Sequence, residues 1–283
     1  MSSSRGLFGP DTVSWRIIGH PAALVGGLRA LLLQALHPLA MAGVAQHSNY
    51  IEDPMGRLRR TASYVSTVTF GTMAEAEAAA QIVRGVHRHV HGTDPVTGKR
   101  YSASDPATMV WVHCVEVHSF LAAYRAYARP ISREDQDRYL AEQVEAAVLL
   151  GTPRHRVPDS VDAYRDYFAS VRDQLCTSPE AEAAIGFVRR PSLPDLPAAQ
   201  RVMLQPAFRA MGDAATSLVP ASLRELAGLP PRGPRELPSR VAVSTASNAV
   251  ALGLRIPVLR YAVEEPLTRT LGTKRRPRVP AAA

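Results

Sequence analysis

From Pro21 to Leu36 apolar residues recur at helical spacing: Leu24, Leu28, Leu31, Leu32 and Ala35 follow the i, i+3, i+4 rule, and Leu36 and Leu39 widen the stripe. Pro21 fits the first turn of such a helix, where its missing N–H forfeits no internal bond, and Pro38 resets the chain. The pattern predicts a core helix. Pro54 and Gly56 punctuate a turn before "RLRRTASYVSTVTFG", in which Leu58, Thr61, Val65 and Val68 or Thr69 share one helical face. Arg57 and Thr61 are i, i+4 neighbours on that helix with Arg60 beside them, so Arg57, Arg60 and Thr61 are predicted to address a common ligand.

After Gly71, "MAEAEAAAQIVRGVHRHVH" predicts a helix with Thr72 as N-cap and Glu75 at capping-box spacing. On it His87 and His91 are four apart, on one face. A turn-rich loop, "GTDPVTGKRYSASDP", leads to "ATMVWVHCVEVHSFLAAYRAYA", a helix capped by Ser104 with Pro106 in its first turn. It is apolar on most sides and therefore central. "SREDQDRYLAEQVEAAVLLG" follows with Ser132 as cap and Asp135 as the matching acid, then a helix over "VPDSVDAYRDYFASVRDQL". Prolines break the next stretch into shorter helices, and "AGLPPRGPRELPSR" reads as a loop. A last apolar helix pair is expected near Val241 to Leu254 and Val258 to Val263.

The predicted fold class is all-α: one multi-helix domain over residues 1–273, with a central apolar helix pair around a pocket. Residues 274–283 form a basic tail, read as disordered. Composition agrees, since hydrophobic residues make up 46% but aromatics only 6%, which favours close-packed helices over a β-sandwich.

Charge and cysteines narrow the function classes. The formal net charge of +8 comes from arginines spread along the chain and from "GTKRRPRVP", with no nucleic-acid motif beside them, so a nucleic-acid partner is not expected. Cys114 and Cys176 lack CxxC spacing, which excludes a cysteine metal cluster and a disulfide scaffold and fits a reducing compartment. "PAALVGGLRALLLQALHPLAMAGVA" is long enough for a bilayer but holds Arg29, Gln34 and His37 and is broken by Pro38. No integral span is expected. Without a signal-peptide pattern the chain reads as cytoplasmic, and "KRRPR" is compatible with a peripheral contact to anionic lipid.

Histidine carries the chemical interest: five of the nine lie between His87 and His118. The pair His87 and His91 could hold a metal, yet HExxH and Glu-x-x-His motifs are both absent, as are GxSxG, a P-loop and GxGxxG. His37, before Pro38, could bond the carbonyls of the broken helix. His113 and His118 sit on a helix too apolar to accept them without partners.

The blocks "LQALHPLAMAGVAQHSNYIEDPMGRLRRT", "VRGVHRHVHG" and "YSASDPATMVWVH", in this order, resemble the latex-clearing-protein and MpaB-type oxygenase family, over roughly residues 15 to 260. The resemblance implies a globin-like helical fold holding haem b, with a histidine on the iron and an Arg-x-x-Lys-Thr block on the opposite, distal side. Carried over, Arg57 and Thr61 match that block and Arg60 stands in place of the lysine. His87 matches the proximal iron ligand, Arg84 one turn before it is a propionate partner, and His91 falls where a basic residue is expected. His113 supports the site from the neighbouring helix, and His91 or His113 could replace His87 as ligand.

Arg60, unlike lysine, cannot serve as a base. The distal glutamate of the latex clearing proteins has no counterpart, because Glu52 and Asp53 are the only acids between Gln34 and Arg57. The resemblance therefore points to a haem-dependent oxygenase that acts with dioxygen on a hydrophobic substrate smaller than polyisoprene. A haem-binding sensor or carrier without turnover, and a helical scaffold without cofactor, are the competing readings.

Overall fold

The computed structural model describes residues 6–48, 52–191, 197–233 and 236–253. It is all-α apart from one two-stranded hairpin. The first half contains α1 (Val13–Ile18), α2 (Ala23–Gln34), α3 (Pro38–His47), α4 (Pro54–Phe70) and α5 (Met73–His87). Strands β1 (His91–Thr93) and β2 (Arg100–Ser102) then pair antiparallel, His91 opposite Ser102. The second half contains α6 (Pro106–Tyr127), α7 (Arg133–Leu149), α8 (Val161–Val171), α9 (Pro179–Arg189), α10 (Ala198–Ser217), the short α11 (Ala221–Arg224) and α12 (Leu237–Gly253).

α6 is the axle, and α2 packs along it more extensively than any other described pair. Gly26 permits the approach: a Cβ there would stand 2.9 Å from the Phe120 Cα and 3.0 Å from the Ser119 carbonyl oxygen. Trp111, Val115, Ala123 and Tyr127 on one side of α6 join α2, α9 and α10 in one apolar cluster, while Val110, Cys114, Val117, Phe120, Leu121 and Tyr124 join α1, α7 and α8 in a second. Each such Leu, Val or Phe withdrawn from water contributes about 1.5–3 kcal/mol.

The caps follow the local chemistry. Thr72 and Glu75 form the expected capping box, and Ser132 accepts from the Asp135 N–H at 3.1 Å. At α6 the cap is Asp105 rather than Ser104: its carboxylate accepts from the Thr108 N–H at 3.0 Å, which places Pro106 at the first helical position. Pro54 likewise begins α4 instead of preceding it, with Asp53 accepting from the Gly56 N–H at 2.8 Å. His37 acts in the direction opposite to the one expected. Its Nδ1 accepts from the Ala40 N–H at 3.3 Å and so caps α3, where N–H groups rather than carbonyls are unsatisfied.

Two expectations about helix faces are corrected. Leu24 is 62% exposed, whereas Arg29 on the same helix is only 1% exposed. Arg29 is held inside by donating to the Leu218 carbonyl at 3.0 Å and the Ser119 hydroxyl at 2.7 Å, beside His118 Nδ1 at 3.3 Å. The helix ending in "HRHVH" stops at His87. Val90 and His91 leave it for the hairpin, where the Ala103 N–H donates to the Val90 carbonyl at 2.8 Å and Gly98, with φ of 68°, completes the turn. His91 is thus a strand residue and does not share a helical face with His87.

Among the described residues no single helix is long and apolar enough to cross a membrane; α2 and α3 pass that test only together, bent by 103°. The helix expected near Val258 and the tail from Lys274 lie outside the described residues.

Candidate functional site

A cavity of about 500 Å³ lies between α2, α3, α4, α6, α7 and α9. Its walls are mainly aliphatic. Leu28, Leu31 and Ala35 of α2, Leu58, Val65 and Val68 of α4, and Val112, Val117 and Phe120 of α6 supply most of that surface. The predicted face of α4 therefore turns inward as a unit, and a mainly apolar lining is built before any ionisable group is considered.

Polar residues enter at two places. At the rim, where α3 gives way to α4, stand His47, Ser48, Arg57 and Thr61. Arg57 Nη1 donates to the Ser48 hydroxyl at 2.7 Å, and His47 Nε2 lies 3.1 Å from both the Tyr101 hydroxyl and the His91 carbonyl oxygen. Deeper lie His87 at the C-terminal end of α5, Tyr64 of α4, and His113 and Glu116 of α6, the last two one helical turn apart.

The interior sets their protonation. Burial lowers the pKa of His87 and brings His113 down to about 4, so both imidazoles are neutral near pH 7. Burial raises Glu116 to about 7. Tyr64 is raised as well, by burial first and then by the neighbouring Glu116 carboxylate. His113 Nε2 and the Tyr64 hydroxyl are buried with no hydrogen-bond partner among the described residues. Neutral imidazole is the form that ligates metals, and buried unsatisfied polar atoms are rare enough to require a reason.

The structure brings Arg57, Thr61, His87 and His113 to one cavity. Three other residues singled out in the sequence lie off its wall. Arg60 is exposed and pairs with Asp53 at 3.2 Å, because its position on α4 faces the N-cap carboxylate rather than the interior. His91 is exposed on β1 and reaches the rim only through its backbone carbonyl. Arg84 turns to the end of α7, where its Nη1 donates to the Leu149 carbonyl, one of the unsatisfied carbonyls of that helix.

Glu116 and Tyr64 were missed. The signal for Glu116 was a lone acid within "VWVHCVEVHSF", three residues after His113. That for Tyr64 was its place seven residues after Arg57, on the same face of α4. Among the described residues no group of three or more His, Cys, Asp or Glu side chains is arranged to hold a bare metal ion.

Residues 15–248 match the family described as ER-bound oxygenase mpaB/B'/rubber oxygenase, catalytic domain. The chain belongs to this oxygenase family. The match takes in every residue of the cavity wall except Phe8, so the cavity is part of the mpaB/rubber oxygenase catalytic domain rather than an addition to it. No curated protein and no solved structure matches the chain. An oxygenase of this family is an oxidoreductase that takes dioxygen and a small-molecule substrate.

Proposed function

We propose that this family member is a haem b-dependent oxygenase acting with dioxygen on a hydrophobic small molecule, and that His87 is the iron's protein ligand. The observation that carries this reading is a half-buried, neutral imidazole at the end of α5, on the wall of a mainly apolar cavity of about 500 Å³. The donor set fits the group. A bare ion needs several protein ligands, whereas iron in a porphyrin brings four nitrogens and requires one imidazole.

When bound, haem b supplies the reducible iron at which dioxygen is activated. The chain's own residues do the rest. His87 stays neutral because its surroundings disfavour the imidazolium, and so keeps a lone pair available. The aliphatic walls of α2, α4 and α6 exclude water and hold the substrate's apolar body. Arg57, oriented by Ser48, presents a permanent cation at the rim, suited to a carboxylate such as a propionate or to an oxygen that gains charge. Thr61, one turn along α4, offers a hydroxyl to the same space. Arg84, one turn before His87, is held at the end of α7 by the Leu149 carbonyl.

The test is pyridine haemochrome analysis of the purified protein, together with dioxygen uptake on adding an alkene and a reductant. Near one haem b per chain with substrate-dependent uptake supports the reading. Haem without uptake would favour a sensor or carrier, and a colourless protein that takes up no added haemin would leave a helical scaffold.

A further inference from the structure

Three polar side chains of α4 and α6 line the cavity, Tyr64, His113 and Glu116. Two of them are buried without partners. The third, Glu116, is engaged by neither a hydrogen bond nor an ion pair among the described residues, although it lies close enough to Tyr64 to perturb it. A carboxyl set in an aliphatic wall without a partner costs stability, and a leucine of similar size would not. A plain hydrocarbon filling the cavity would leave that cost in place. A ligand bearing one hydroxyl would remove it, by donating to the Glu116 carboxyl.

We propose that the cavity takes an amphipathic alcohol: an apolar body against α2 and α4, with a single hydroxyl received by Glu116. The inference rests on the hydrophobic-substrate reading above and narrows it, separating this chain's substrate from a bare polyisoprene or alkane. Glu116 is the specificity-determining residue, because it is the only carboxylate on the cavity wall among the described residues. An alcohol donor matches it in both protonation states, since a carboxylate accepts from the hydroxyl and the neutral acid retains an accepting carbonyl oxygen.

The experiment uses the purified protein in the state in which it is isolated and requires no turnover. Decanol and decyl methyl ether compete for a fluorescent apolar probe bound in the cavity; the ether retains an accepting oxygen but has no hydroxyl to donate. Wild type is expected to bind the alcohol about tenfold more tightly than the ether, the size of one hydrogen bond to a charged or buried acceptor. Glu116→Leu should bring the two affinities together, and Glu116→Gln, which keeps an accepting oxygen, should retain part of the preference. Thermal unfolding of both variants reports that the fold is intact. Equal affinities in wild type, or a preference unchanged in Glu116→Leu, would overturn the proposal. Because wild type and variants are compared at equal pigment content and no dioxygen uptake is read, loss of the alcohol preference with haem present refutes this inference alone, and absence of haem refutes only the oxygenase reading.

Discussion

Replacing Glu116 by glutamine tests the electrostatics of the cavity directly. The side chain keeps its shape and loses its ionisable proton. In the folded protein burial holds this carboxyl at about 7 instead of the ordinary 4.5. Below about pH 4.5 it is protonated in both folded and unfolded chains and has no effect on pH dependence. Between pH 4.5 and 7 the unfolded chain releases its proton while the folded one retains it, so stability falls as pH rises through this window. Above pH 7 the folded protein carries the full cost of a buried carboxylate. A difference of about 2.5 pKa units corresponds to about 3 kcal/mol, an upper bound because water in the cavity screens the charge.

Glu116→Gln is therefore expected to match wild type at pH 4 and to exceed it by up to about 3 kcal/mol at pH 8. For a chain of this length that is a rise in Tm of roughly 6–10 °C. Urea unfolding at the two pH values, on samples with equal pigment content, measures the difference. An offset that is the same at pH 4 and pH 8 would refute the claim that the carboxyl is desolvated.

Gly26→Ala should destabilise the protein by about 1–3 kcal/mol, because the new methyl meets the backbone of Phe120 and Ser119 and must part α2 from α6; denaturant melts compare it with Gly27→Ala, whose added methyl meets nothing within 4 Å. Thr72→Ala removes the cap of α5 and should cost about 1 kcal/mol, with faster amide exchange in the first turn of that helix while His87 at its far end stays in place. Arg29→Met should raise no charge conflict but should leave the Leu218 carbonyl and Ser119 hydroxyl without their buried donor, lowering Tm without changing the cavity's affinity for an apolar probe.

The helices were legible where periodicity and caps agreed. The face of α4 from Leu58 to Thr69 could be read because each member is three or four residues from the next, and the Thr72 and Glu75 box because it is local chemistry. The break after His87 was hidden. Alanine-rich helical propensity runs up to it, whereas the departure is decided by pairing with residues 100–102, which lie beyond a loop. The exposure of Leu24 and the burial of Arg29 were hidden for a similar reason: the face α2 buries depends on where α6 and the end of α10 lie.

In the candidate site, helical spacing and the family resemblance suggested Arg57, Thr61, His87 and His113, and the fold gathers all four around one cavity. Arg60 and Arg84 show the opposite case. Each has a cation's chemistry, but each is drawn to a local acceptor, the Asp53 carboxylate and the Leu149 carbonyl, that the motif does not reveal. Glu116 escaped notice because a search for an acid near Arg57 in sequence does not reach a neighbouring helix that is adjacent only in space.

The most direct test of the central claim is the absorption spectrum of the purified protein from the near ultraviolet to the red, for wild type, His87→Ala and His113→Ala. Wild type should show a Soret band that is lost or shifted in His87→Ala and keeps its axial-ligand signature in His113→Ala. A spectrum unchanged by His87→Ala and abolished by His113→Ala would move the ligand to α6, and a wild type with no Soret band, before or after adding haemin, would contradict the haem oxygenase reading itself.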